Sequence, residues 1–169
     1  MALTLISKAF AEDQPIPAKY ARTGENLFPP LAWSEAPDKT RSFALVVEDP
    51  DAPHGTFRHC GIANIPAEWT ALGESADTAP EHAPRFYRND FGQARYDGPQ
   101  PPPGDPPHRY IFRLAALDVP TLSIPDAAGI GVMWAEAKKH TLEEATVTGI
   151  YNRWKLIDVL LRRRGSARR

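Results

Sequence analysis

The sequence predicts a mainly β domain with peripheral helices. Three observations carry that expectation. Short apolar runs of strand length, at residues 42–47, 60–65 and 109–117, outnumber segments with helical periodicity. The connections between them are too short and irregular for βαβ crossovers, which favours antiparallel pairing. The 18 prolines cluster around 50–53 and 99–107, the pattern of stiff loops on a β scaffold. At 169 residues the chain is the size of one domain with one substantial core.

Taken in order, residues 3–10 alternate loosely and read as a first strand. Residues 11–41 are mostly loop, broken by a short strand at 31–33. In 42–47 (SFALVV), Phe43, Leu45 and Val47 share one face and Ala44 and Val46 are apolar on the other, so this strand is expected to be buried on both sides. Residues 48–59 (EDPDAPHGTFRH) form an acidic turn stiffened by Pro50 and Pro53, which fix φ and restrict the residues before them. Each X–Pro bond here, Asp49–Pro50 and Ala52–Pro53, is a candidate for a cis peptide. A strand at 60–65 stops at Pro66, and 67–94 read as a long loop with one helical turn at most. A second stiff stretch, 95–110 (RYDGPQPPPGDPPHRY), leads into a strong strand at 109–117. A helix is expected at 127–140, with Val132 and Ala135 on its apolar side, and a strand at 146–151. Residues 154–164 read as a terminal helix whose apolar arc includes Trp154, Ile157, Leu160 and Leu161. It is assigned to the same domain as 1–153, and three roles stand open for it: cover for its own sheet, a lid, or a dimer contact.

The net charge of −1 argues against a general polyanion binder, so no nucleic-acid partner is expected. Residues 154–169 hold six Lys/Arg against one Asp, or +5, which leaves −6 on 1–153. Cys60 is the single cysteine, which excludes an internal disulfide and a cysteine metal cluster. The opening MALTLISKAF lacks the pattern of a secretory signal, and no apolar run reaches membrane-spanning length. The expectation is a cytoplasmic protein without an integral membrane segment.

Two histidines stand out. His59 and His108 both open strands directly after proline-stiffened loops, an arrangement suited to a shared polar pocket. Imidazole N–H groups, the Tyr110 hydroxyl and backbone N–H groups of the 98–104 loop suit a phosphate or carboxylate. Asp49 and Asp51 would accept the other imidazole N–H and fix each ring. A metal site built from the same residues lacks an HxxxH, HxH or HExxH spacing. A hydrolase would use His59 or His108 as general base with Asp49 orienting it. It would need a nucleophile, yet no serine sits in a GxSxG setting and Cys60 lies inside an apolar strand. His54, His82 and His140 read as surface or helix-end residues. Neither a cofactor nor a catalytic residue is assigned.

The paired motifs DPDAP (49–53) and GPxPPxG…HRY (98–110), with His59 between them and Asn64-Ile65-Pro66 following it, resemble the phosphatidylethanolamine-binding proteins, in particular the bacterial Raf kinase inhibitor-like branch. Ser7, Phe10, Gly24, Asn26, Trp33, Gly149 and Tyr151 fit the same pattern, and the match spans roughly 4–153. The resemblance implies an antiparallel β-sheet packed against a smaller sheet, with an anion pocket lined by Asp49, Pro53, His59, Gln100, Pro101, Pro102, His108 and Tyr110 and supported by Asp51. It implies a non-enzymatic binder of a small oxyanion or phospholipid headgroup, with a protein partner and homodimers as further expectations. Three departures mark this chain. Gln100 stands where the family carries a small residue or cysteine, Cys60 and Gly61 replace bulkier residues and are expected to loosen the wall behind His59, and the chain continues past Tyr151.

Overall fold

The computed structural model describes residues 1–74, 76 and 84–153. The strands are β1 (Thr4–Ser7), β2 (Gln14–Pro15), β3 (Leu31–Ser34), β4 (Ser42–Asp49), β5 (Phe57–Pro66), β6 (Ala71–Leu72), β7 (Arg85–Phe86), β8 (His108–Leu117) and β9 (Thr141–Tyr151). A 3-10 turn (Ala18–Tyr20) follows β2, and one helix, α1 (Ile130–Lys139), precedes β9. They form a six-stranded sheet in the order β2-β9-β8-β4-β5-β7 and a three-stranded sheet, β1-β3-β6. The short β2 joins β9 in parallel, and the other strand pairings are antiparallel.

Alternation along β4 decides the layering. Phe43, Leu45 and Val47 join Leu3, Leu5, Trp33, Phe112 and Leu114 in the larger core. Ala44 and Val46 face the other way, into a second core with Ala63, Ala115, Leu117 and the helix residues Ile130, Met133 and Ala137. The central strand is therefore covered on both faces, which is why its sequence is apolar throughout rather than alternating.

Several boundaries differ from the sequence expectation, and pairing explains each. The acidic Glu48 and Asp49 stay in β4 because Asp49 pairs with Phe57 and Glu48 with both Ile111 and Arg58. β9 starts at Thr141 because β8 recruits the polar 141–145 stretch along its whole length. The 67–94 segment contributes β6 to the small sheet and β7 to the large one. The helix docks through Ile130, Met133 and Ala137, while Val132, assigned to its apolar side, is 54% exposed. No peptide bond is cis among the described residues, so the expected cis proline is not found at the acidic turn. The terminal helix expected at 154–164 lies outside the described residues.

Gly61 does not loosen the wall behind His59. A Cβ there would lie 2.6 Å from Ile130 Cγ1 and 2.9 Å from the Met133 methyl, so the helix fills the space a larger residue would take. Gly61→Val is therefore expected to destabilise the fold by about 1–3 kcal/mol through overpacking. Val132→Ala, at the exposed face, should stay within about 0.5 kcal/mol of wild type. Urea unfolding of the two variants measures both, and equal effects would refute the docking face described here.

Candidate ligand-binding site

The end of β4, the start of β5 and the start of β8 meet at one edge of the large sheet. Asp49 pairs with Phe57 and Val47 with Cys60, although two residues lie between Phe57 and Cys60 and only one between Val47 and Asp49. The ladder therefore carries a β-bulge at Arg58–His59. A bulge re-aims a side chain and releases backbone groups from the ladder. Here the released His59 carbonyl accepts the Asp97 N–H at 3.1 Å and the Asn89 amide at 3.3 Å. The His59 ring packs between Phe57, Phe91 and Tyr110, with centroids 5.0, 5.6 and 5.3 Å away.

His59 Nδ1 donates to two backbone carbonyls, Asp97 at 2.8 Å and Gly98 at 3.1 Å. Carbonyls only accept, so the proton of the neutral ring sits on Nδ1 and Nε2 keeps its lone pair. Burial pushes the His59 pKa below the ordinary histidine value, outweighing the nearby carbonyls and carboxylates. The loop that supplies those carbonyls is fixed by Asn26, whose Nδ2 donates to the Asp97 carboxylate at 2.9 Å and whose Oδ1 accepts the Gly98 N–H at 2.7 Å. Only glycine fits at position 98, because a Cβ would collide with the Tyr20 carbonyl.

His108 is in the opposite state. Its Nδ1 lies 2.8 Å from Asp49 Oδ2 and its Nε2 lies 3.1 Å from Asp105 Oδ2. Burial acts against its charge, but hydrogen bonds to the two carboxylates overcome it and raise the pKa above the ordinary value. An imidazole flanked by two carboxylates is held as imidazolium with both N–H groups used. The other oxygen of Asp49 accepts the Asp51 N–H at 2.8 Å.

Asp51 does not orient a histidine as expected. Both of its oxygens accept from Arg109, at 2.9 and 3.0 Å to Oδ2 and 2.9 Å to Oδ1, and this pairing holds its carboxyl below the usual range. It lines a separate depression with Asp105, Pro106 and Pro107 on the far side of His108. The geometric reason is strand alternation: Arg109 faces away from His108 and Tyr110 and takes the carboxylate nearest to it.

A cavity of about 550 Å³ opens at this edge. Its walls include Asp49, Pro53, His59, Gln100, Pro101, Pro102, His108 and Tyr110, eight of the nine residues named from the sequence. The remaining lining includes Phe57, Asp90, Phe91 and Thr56, which sequence reasoning missed, and His54, which it placed on the surface away from the site. Tyr110 is 1% exposed, and its hydroxyl lies beside the Asp49 carboxylate without reaching full hydrogen-bond geometry to any described residue. Burial, with the Asp49 carboxylate nearby, raises its pKa far above the usual phenol value, so it stays a hydroxyl donor. Among the described residues no group of three or more His, Cys, Asp or Glu is arranged to hold a metal ion. Asn89 and Asp90 lie in a segment read as plain loop. The Asn-Asp-Phe-Gly run at 89–92 was the available signal, since Asn89 Oδ1 accepts from the N–H groups of Phe91 and Gln93 in a local Asx-type turn.

Residues 6–152 match the sequence profile of the family described as phosphatidylethanolamine-binding protein. The chain belongs to that family. A phosphatidylethanolamine-binding protein of this kind has relatives across bacteria and archaea. The UPF0098 protein of Methanothermobacter thermautotrophicus is 40% identical over 154 residues, covering 89% of this chain and 99% of the relative. The Escherichia coli UPF0098 protein YbhB is 31% identical over 160 residues, covering 89% and 100%. The crystal structure of Escherichia coli YbcL, titled a new member of the mammalian PEBP family, superposes with a TM-score of 0.84 at 29% identity, covering 90% of this chain and 99% of that one. The Chlamydia trachomatis homologue CT736 gives a TM-score of 0.78 at 33% identity, covering 90% and 98%.

The two histidines predict opposite contributions to stability. His108, with its raised pKa, contributes fully below about pH 6.5 and loses that contribution as pH rises through its folded value. His59, with its lowered pKa, contributes above about pH 6.5 and loses that contribution as pH falls through its folded value. Unfolding free energies measured across this range should show His108→Gln flattening the alkaline limb and His59→Gln the acidic one. The same limb flattened by both would contradict the assigned protonation states.

Proposed function

We propose that this family member is a non-enzymatic binding protein that holds a small oxyanion, a phosphate or carboxylate group, against His59 and Tyr110. The observation that carries this reading is the buried Tyr110 hydroxyl, beside the Asp49 carboxylate but outside full hydrogen-bond geometry with it, on a wall shared with a histidine whose Nε2 is free of hydrogen bonds among the described residues. A buried hydroxyl left wholly unsatisfied costs about 1–3 kcal/mol, and the part of that cost Asp49 does not relieve is what an acceptor oxygen on a ligand recovers. An anion at His59 Nε2 favours the imidazolium there, so His59 takes up a proton as the ligand enters. The His108 imidazolium offsets charge in the wall without donating to the ligand, because both of its N–H groups are engaged. The Asp49 carboxylate is neutralised by the same contact. Phe57 and Phe91, with ring centroids 4.7 Å apart, add an apolar wall. A cavity of this volume suits a ligand with an organic portion, a phospholipid headgroup being one source.

The His108–Asp49 pair is the observation in favour of a hydrolase. Binding is the better reading because Asp105 occupies the nitrogen a base would need. The hydroxyls in the lining are Thr56 and a Tyr110 phenol whose pKa is raised by burial and by the Asp49 carboxylate, the opposite of the lowered pKa an activated nucleophile needs.

Sulfate, which stays dianionic through the histidine range, is the suitable probe. Its affinity should rise as pH falls from about 8 to about 5, with up to one proton taken up per anion, measurable by calorimetry in buffers of different ionisation heat. His59→Gln should remove the pH dependence. Tyr110→Phe should weaken binding about tenfold or more, the worth of a hydrogen bond to a charged group. Affinity that is flat with pH and indifferent to Tyr110→Phe would refute the reading.

A further inference from the structure

The amide of Gln100 has one orientation forced on it from outside the cavity. Arg22 Nη1 donates to Gln100 Oε1 at 2.7 Å. A guanidinium carries only donors, so the atom facing it must be the amide oxygen, and the NH2 group is left over. Gln100 lines the cavity, and its NH2 has no partner among the described residues. Arg22 is not part of the cavity lining, yet it is itself closely held. Its backbone N–H donates to the Pro99 carbonyl at 3.0 Å, its guanidinium lies 4.0 Å over the Phe91 ring, and its Nε lies 3.6 Å from the buried Asp97 carboxylate.

We propose that Arg22 is a positioning residue that makes Gln100 an obligate donor at the cavity rim, so that the rim selects ligand oxygens and rejects a cation or a second donor. The proposal rests on the anion-binding reading above and names the residue that sets specificity at that site. A free amide rotates to offer either its oxygen or its NH2 and discriminates little between an acceptor and a donor. A locked amide leaves a mismatched ligand group facing an unpaired donor, and such a mismatch is what separates one ligand from another. The Arg22 charge also lies behind the amide oxygen and adds to the donor character of the rim.

The test is sulfate affinity at fixed pH for the full chain and its variants, with melting temperature as the control for folding. Gln100→Glu keeps the oxygen that Arg22 holds but turns the rim donor into a charged acceptor, and should weaken sulfate about tenfold or more. Arg22→Met should weaken it about threefold to tenfold in the wild-type background and have no further effect in a Gln100→Ala background. If Arg22→Met lowers the melting temperature too far for titration, Arg22→Lys, which cannot give the same fixed fork, takes its place in the cycle. An Arg22 effect of the same size with and without the Gln100 amide would show a merely structural role and overturn the proposal. Binding that survives Gln100→Glu but falls in Tyr110→Phe overturns this proposal alone. A wild-type chain that binds no sulfate overturns it together with the reading on which it rests.

Discussion

The site depends on one buried charge, the carboxylate of Asp97. It is fully inaccessible, and a charge in that position is tolerated only when donors surround it. Burial pushes its pKa upward, but hydrogen bonds from Asn89 at 2.8 Å, Arg95 at 3.2 and 3.3 Å and Asn26 at 2.9 Å more than offset that and hold it below the usual carboxylate value. These donors come from two segments far apart in sequence, so satisfying one carboxylate draws the loop after the 3-10 turn and the loop after β7 together beneath the cavity. The Asp97 carbonyl, one atom group further on, then sets the tautomer of His59.

The same fold edge holds two histidines in opposite protonation states, and their neighbours account for the difference. Both are almost fully buried. His59 meets carbonyls, which accept one proton but do not stabilise a positive ring enough to offset desolvation. His108 meets two carboxylates, which do. A neutral ring with a lone pair and a ring whose charged form is favoured thus stand in one wall. The family resemblance names both positions as ligand contacts, but the hydrogen bonds equip them differently: His59 Nε2 carries a lone pair, while both ring nitrogens of His108 are engaged by carboxylates.

Much of the scaffold was legible because it follows from local periodicity. The 42–47 run is apolar on both faces and lies at the centre of the sheet, and the 109–117 run forms its neighbour. The paired DPDAP and GPxPPxG…HRY motifs led to the cavity through the family resemblance they carry, since eight of the nine residues named on that basis line it. The helix face was misread because Val132 continues the apolar pattern, whereas docking is decided by which residues reach the bare backbone at Gly61. The 67–94 segment was read as loop because two-residue strands leave no periodic signal at all.

The sequence by itself determined that the chain is an antiparallel β domain of this family, with Asp49, His59, His108 and Tyr110 at one end. The strands follow from side-chain alternation and the stiff loops from the conformational limits of proline, both of which act within a few residues, while the family and its site positions follow from the resemblance of the paired motifs. Only the tertiary structure decided the β-bulge at His59, the pairing of Asp51 with Arg109, the capping of His108 by Asp105 and the hold of Arg22 on Gln100. The bulge and all of these contacts but the capping join residues far apart in the chain. The partner of a buried polar group is whichever donor or acceptor the fold brings within hydrogen-bond distance, and the spacing of residues along the chain does not encode that choice.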